Sequence, residues 1–232
     1  MSRQQIPLAL KPPRRPRFEN FVAGPNQALV DLLAAGLESG SWYFLGGPPG
    51  SGRSHLMSAC FADCLKRSQT AQFLALAVPS NQALLEAAAA DCILLDDIDA
   101  LAGREVGEML LFNALNRWRA ERCSVLMSGA SRADFQLPDL RSRLGQAARL
   151  TLKPLEDADL RRLVVRLADE HEVVLGRGAA DYLLTHGARS AAAVARLIEQ
   201  LSTRALNERR TLSVPLIREA LESRRELKSG QY

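Results

Sequence analysis

Apolar and polar positions along this chain fall into two regimes. From Phe18 to about Lys153, short apolar runs alternate with stretches of helical spacing. Trp42–Gly46, Gln72–Val78, Cys92–Leu95, Ser124–Ser128 and Arg149–Leu152 read as strands. Cys92–Leu95, apolar until it meets acid, suits a strand buried on both faces. A helix is predicted from about Gly52 to Arg67, with Leu56, Ala59, Cys60 and Leu65 apolar. Ser80 is placed to cap the helix after the second strand. Glu105–Arg122 brings Met109, Leu110, Phe112, Leu115 and Trp118 round at helical spacing. Strands alternating with helices predict an α/β domain: a five-stranded parallel sheet with helices on both faces. After Pro154 the pattern is helical only, in Glu156–His171, Gly178–His186, Ser190–Glu208 and Val214–Arg225, which predicts a small separate helical domain. Prolines at 7, 12, 13 and 16 forbid a regular helix or central strand at the start. The predicted division is therefore a flexible arm (1–17), an α/β domain (18–153) and a helical domain (154–232).

Composition narrows the class without naming a function. Hydrophobic content of 47% and charged content of 24% are those of an ordinary globular protein. No apolar run reaches the roughly 18 residues of a membrane span, and the basic start is not followed by an apolar core, so neither a membrane partner nor a secretory leader is expected. A cytoplasmic location is expected. Cys60, Cys64, Cys92 and Cys123 sit in or beside apolar stretches and read as buried free thiols rather than a zinc site. The net charge of +4 is too mild to argue nucleic-acid binding, and the basic Pro-rich stretch Lys11–Arg17 reads first as a solvated linker.

The chemistry concentrates at two places. Gly47, Pro48, Pro49, Gly50, Ser51, Gly52, Arg53 and Ser54 fit the G-x-x-x-x-G-[K]-[ST] phosphate loop, with Arg53 where lysine is usual and His55 next on the helix. Glycines let backbone N–H groups turn inward, and the helix N-terminus adds positive potential, so a polyphosphate is held there. Ser54 is placed to ligate Mg²⁺. A Gly-Pro turn between strand and helix is the plainer alternative, and the downstream acid argues against it. That acid is Asp96, at the end of Ile93-Leu94-Leu95, where a P-loop fold puts its magnesium carboxylate. Asp97 follows in the position of a water-polarising carboxylate. Asp99 reads as a helix cap or a solvated residue.

At these residues the chain resembles the DnaA family of bacterial replication initiators, within the AAA+ P-loop proteins. Phe18-Glu-Asn-Phe21-Val-Ala-Gly-Pro-Asn26 is similar to the family's N-terminal box, which contacts the adenine end of the nucleotide through positions such as Phe21 and Asn26. Leu94–Leu101 resembles its acidic strand motif and Leu111–Asn116 the helix that follows. Leu126-Met-Ser128-Gly-Ala130 resembles its sensor strand, with Ser128 in the polar position. Leu137–Leu144 resembles its arginine-finger box, which makes Arg143 the finger and leaves Arg141 an ordinary surface residue. The sequence leaves no room after the helical domain for a DNA-binding domain, which points to the short Hda branch of the family. Gln5-Ile-Pro-Leu8-Ala-Leu10 is similar to the Q-x-x-L-x-[LF] peptide that binds the replication sliding clamp; alone the motif is weak.

The resemblance implies a negative regulator of replication initiation. It would be ADP-bound (or ATP-bound) with Mg²⁺, held to the DNA polymerase III sliding clamp (beta subunit). It would place Arg143 in trans at the nucleotide of DnaA, a device worth about 10³–10⁵-fold in related phosphoryl transfers. DNA contact would be indirect, through the clamp, and self-association is left open. Weak or absent ATPase of its own fits Arg53, Ala130 in place of an acid after the sensor strand, and Ala192 in the register of the helical domain's sensor arginine. Either Arg189 or Arg196 would then reach the phosphates instead. Two other readings compete: a helicase-loader-like ATPase active by itself, and an initiator accessory protein that binds DNA through its basic arm.

Overall fold

A computed structural model describes residues 16–130, 133–187 and 189–229, with side chains of the last helix described to Ser223. The described residues form two units, Pro16–Pro154 and residues from 155 onward.

The first unit holds α1 (Gln27–Ala35), β1 (Trp42–Gly46), α2 (Arg53–Lys66), β2 (Ala71–Ala75), the single-turn α3 (Pro79–Gln82), β3 (Cys92–Asp96), α4 (Glu105–Ala120), β4 (Ser124–Ser128), α5 (Pro138–Leu144) and β5 (Ala148–Thr151). The five strands are all parallel, in the order β2-β3-β4-β1-β5. Every residue of β3 and β4 is buried. This is why both strands are apolar between their ends, Ile93–Leu95 and Val125–Met127. Period-two alternation divides their side chains between two cores. Phe44, Ile93, Leu95, Val125 and Met127 join Leu111, Leu115 and Trp118 of α4. Leu45, Cys92, Leu94 and Leu126 join Val30 and Leu33 of α1 and Leu56, Met57 and Cys60 of α2. All four cysteines are buried and free.

Two local features differ from the sequence pattern. The second strand stops at Ala75 rather than Val78, because the Val78 N–H closes a turn on the Ala75 carbonyl at 3.1 Å. Pro79 then opens α3 with Val78 as its extended N-cap, so Ser80 lies inside the turn and does not cap it. Helix α1 has no strand-like or helical forecast in the sequence pattern. It ends at Gly36, with φ of 101°, and Arg67 donates to the carbonyls of Ala34 and Ala35 at its C-terminal end, at 2.6 and 2.9 Å.

The second unit is helical: α6 (Asp157–Glu170), α7 (Ala179–His186), α8 (Ala191–Glu208) and α9 (Val214–Ser229). Leu160 and Val164 of α6, Leu183 of α7, Val194, Leu197, Ile198 and Leu201 of α8, and Leu216 and Ile217 of α9 form its core. The Ser190 side chain accepts the Ala193 N–H and so starts α8. A short parallel bridge joins Leu175 to Leu212. Among the described residues no helix is long and apolar enough to cross a membrane.

Candidate functional site

The register of the sheet assembles the site. Leu45 pairs with Ser128, and Leu95 pairs with Met127. Gly46, Asp96 and Ser128 therefore finish three adjacent strands, β1, β3 and β4, at one level. This is the C-terminal edge where open parallel sheets bind ligands.

The loop from Gly47 to Gly52 leaves β1 and enters α2. Its backbone demands glycine at particular points. Gly47 and Gly52 have φ of 150° and 99°, and a Cβ on Gly47 would lie 2.9 Å from both Leu152 Cβ and Ser51 Oγ. Pro48 and Pro49 form the outer part of the turn, which the Ser51 N–H closes on the Pro48 carbonyl at 3.2 Å. No side chain caps α2, and its first intrahelical bond runs from the Leu56 N–H to the Gly52 carbonyl. The N–H groups of Arg53 and Ser54 thus lie at an uncapped helix N-terminus suited to an anion. Ser51 Oγ is buried with no hydrogen-bond partner among the described residues. Orphan donors, tight glycines and an orphan hydroxyl fit a polyphosphate. Phe21 and His55 flank this turn. A Cβ on Gly52 would lie 2.7 Å from Phe21 Cε2, the two rings are tilted with centroids 5.3 Å apart, and His55 Nε2 lies 3.0 Å from the Arg17 carbonyl.

Asp96 is buried, and the Ser128 hydroxyl donates to its Oδ1. Ser128 Oγ in turn accepts the Asp97 N–H at 3.3 Å. Asp97 itself adopts a left-handed conformation with φ of 55°, which turns the chain sharply after β3. Burial, then the neighbouring Asp96 carboxylate, then Asp99, push the Asp97 carboxyl above its ordinary range, against the opposing pull of Arg53. Asp99 does not cap the helix: it is partly exposed, and its Oδ1 accepts the Ala130 N–H at 2.9 Å and ties the turn after β3 to the loop after β4. Among the described residues no three His, Cys, Asp or Glu side chains form a metal cage. The oxygens of Ser54 and Asp96 are a donor set that suits Mg²⁺ arriving with phosphates, since that ion keeps waters and takes one or two protein oxygens.

Arg53 does not extend freely from the loop. Its Nη1 donates to the Gly129 carbonyl, and its Nη2 lies 3.9 Å from Asp97 Oδ1. Gly129 carries no sequence signal for this role, because it acts through its carbonyl.

Arg143 lies on α5, whose Leu140 and Leu144 are buried while Arg141 and Ser142 are exposed. Arg143 is half-buried. Among the described residues it makes one long hydrogen bond, to Gln146 Oε1 at 3.4 Å, and pairs with no carboxylate. The start of α5 is anchored by a residue with no role in the sequence reading. Glu108 of α4 is 1% exposed and accepts the N–H groups of Gly103 (2.7 Å), Gln136 (2.9 Å) and Leu137 (2.7 Å). Burial alone would raise its carboxyl, but the Leu137, Gln136 and Gly103 N–H groups and Arg141 outweigh it and hold the carboxyl below its ordinary range. Its sequence signal is faint: a lone acid on the same helical stripe as Leu111 and Leu115.

Three other candidates have partners within their own units. Asn26 is buried; it donates to the Ala23 and Lys153 carbonyls at 3.1 and 3.0 Å and accepts the Lys153 N–H at 2.7 Å. That places it as a brace at the exit of β5. Arg189 pairs with Asp157, and Arg196 donates to the Ala192 carbonyl at 3.4 Å. Gln5, Leu8 and Leu10 lie outside the described residues.

Comparison with known proteins shows what the fold resembles. The family model described as "Hda, lid domain" matches residues 157–221. An uncharacterized protein of Haemophilus influenzae is 25% identical over 228 residues, covering 94% of this chain and 98% of its own. Domain III of the Thermotoga maritima replication initiation protein DnaA superposes with a TM-score of 0.77 at 15% identity, over 92% of this chain and 98% of that one. AMPPCP-bound DnaA from Aquifex aeolicus gives a TM-score of 0.68 at 21% identity, over 81% of this chain, and only 64% of the DnaA chain is covered. The chain thus has the fold of DnaA domain III, and its residues 157–221 match the Hda lid domain.

Proposed function

We propose that this chain is a DnaA-related regulator that shuts down replication initiation. On this reading it carries ADP and magnesium at its own phosphate loop and reaches a sliding clamp through Gln5, Leu8 and Leu10. It offers Arg143 to ATP held by a DnaA partner. The backbone N–H groups from Gly50 to Ser54 bind the phosphates, Ser54 and Asp96 hold the metal, and Phe21 with His55 borders the site. Magnesium supplies charge neutralisation at the phosphates when it is bound. Arg143 stabilises charge on the phosphoryl group leaving the partner's nucleotide. The observation that carries the reading is the contrast between the two arginines. Arg53, in the chain's own loop, is occupied by Gly129 and Asp97. Arg143 stands on a helix anchored by a buried carboxylate, with no acidic partner among the described residues. The DnaA structures bound to AMPPCP support nucleotide binding on this fold.

Phosphate release tests it. The chain alone should turn ATP over slowly; mixed with ATP-loaded DnaA and clamp on DNA, it should drive fast release from DnaA. ATP turnover by the chain alone at the rate of the full mixture would make it a motor in its own right and end this reading.

A further inference from the structure

We propose that the surface where β1 and β5 begin binds the phosphate backbone of duplex DNA directly, through Arg119, Arg122 and Arg149. Two rings build this surface. Trp42 and Phe44 stand two residues apart on β1 and enter the same core, so they share one face of the sheet, about 7 Å apart. The Arg119 guanidinium, from the last turn of α4, lies 5.2 Å from the Trp42 ring centroid. The Arg149 guanidinium, from β5, lies 4.2 Å from the Phe44 centroid, and the two residues are neighbours in the β1–β5 register. Arg122 stands at the entry to β1: its carbonyl accepts the Ser39 hydroxyl at 3.3 Å.

All three residues are exposed, and among the described residues none of their guanidiniums has a hydrogen-bond or ion-pair partner. Other arginines of the same unit are engaged: Arg67 with Asp63, and Arg117 with the carbonyls of Leu85 and Ala88. Glu121, the acid between Arg119 and Arg122, sets its Oε2 3.8 Å from the Cys123 Sγ. Covering the rings would need only the apolar stems of two side chains. Three cations grouped without a counter-charge repel one another, and an anionic partner relieves that repulsion. A guanidinium already held over a ring meets such a partner with its N–H fork in place.

The net charge of +4 selects no partner; the grouping of the charges does. A duplex carries a negative charge about every 1.7 Å of its axis, so it meets three neighbouring guanidiniums wherever it lands. An acidic protein would need three carboxylates in matching places. Binding of single strands uses exposed rings on which unpaired bases stack. Trp42 and Phe44 are only 4% and 5% exposed, so the surface offers phosphate contacts and no stacking platform. The contact is therefore to duplex backbone and is indifferent to sequence. It uses neither the nucleotide site nor Arg143, and so goes beyond the regulatory reading.

The test is fluorescence anisotropy of a labelled duplex of about 30 base pairs with the full chain, without nucleotide, from about 50 to 200 mM salt. Three phosphate contacts give log K against log salt a slope of about −3. Arg119→Gln combined with Arg149→Gln should bring the slope to about −1 and weaken binding at the lowest salt by at least about tenfold. Arg119→Lys combined with Arg149→Lys keeps both charges and should keep the slope. Arg122→Gln uncovers no ring and should reduce the slope by about 1. Arg177→Gln, at an exposed arginine of the helical unit, should change nothing. Melting midpoints establish that the variants fold. An unchanged slope in Arg122→Gln and in the double Gln variant puts the binding elsewhere, as on the basic arm, and overturns the proposal. Tighter binding to a single strand of the same length, displacement of the duplex by poly-glutamate at equal charge, or no binding by the wild type overturns it as well. Each of these outcomes leaves the nucleotide site and the role of Arg143 untouched.

Discussion

Replacing Glu108 tests the link between the core and the arginine helix. Its two oxygens serve three backbone N–H groups: Oε1 takes Gly103 and Gln136, and Oε2 takes Gln136 and Leu137. A hydrogen bond to a charged acceptor contributes about 1.5–3 kcal/mol, and an orphaned buried donor costs about 1–3 kcal/mol. In Glu108→Gln the single amide oxygen replaces only one carboxylate oxygen. The amide nitrogen then faces either Gly103 or Leu137, donor against donor. The expected loss is about 2–4 kcal/mol for Gln and roughly 3–5 kcal/mol for Ala, which strands all three donors. A domain with a stability of about 5–15 kcal/mol remains folded in Glu108→Gln, whereas Glu108→Ala takes the lower end of that range close to zero. Urea unfolding followed by tryptophan fluorescence reads the loss directly, because Trp118 lies on the same helix. The pH dependence has a definite sign. The folded carboxyl is held below its ordinary value of 4.5, so its contribution is complete above about pH 4.5 and is lost as pH falls through the folded value. The gap between wild type and Glu108→Gln should therefore narrow on acidification below pH 4.5. A Glu108→Gln midpoint within about 0.5 kcal/mol of wild type at pH 7, the range of an inert surface change, would refute the reasoning.

The remaining consequences are simpler to read. Gly52→Ala should cost about 1–3 kcal/mol, because its φ of 99° strains an L-residue and its Cβ would collide with Phe21; nucleotide affinity should fall with it, and a urea melt beside a binding titration checks both. Trp118 is fully buried and donates Nε1–H to the Ala88 carbonyl at 2.8 Å, so Trp118→Ala should cost about 3–5 kcal/mol in the same melt. Trp118→Phe, losing mainly the hydrogen bond, should cost about 1–3 kcal/mol.

The sheet and the loop were legible in the sequence for a physical reason. Strands buried on both faces must be apolar throughout, as Cys92–Leu95 is, and a phosphate turn must have glycine where φ is positive, as at Gly47 and Gly52. The end of β2 was harder to place. Leu76 and Val78 continue the apolar run, while the turn that stops the strand is set by Pro79. Helix α1 carries only its C-terminal glycine as a signal, and Arg67, which caps it, comes from the end of α2. Asp97, one partner of Arg53, was a candidate from sequence, but the other leaves no trace there. It is the Gly129 carbonyl, 76 residues away, and any residue type carries a carbonyl. Arg143 was singled out only by its resemblance; the carboxylate that fixes its helix was not singled out at all, because Glu108 looks like any helix acid until Gln136 and Leu137 are folded against it.

The central claim is that a cation on α5 completes a partner's hydrolysis while the chain's own site serves only to bind. Arg143→Ala measures this directly. The variant should melt within about 0.5 kcal/mol of wild type and retain its affinity for ADP, while phosphate release from ATP-loaded DnaA on clamp-bearing DNA drops by about 10³-fold or to the level without the chain. Stimulation by Arg143→Ala equal to that of the wild type would contradict the account.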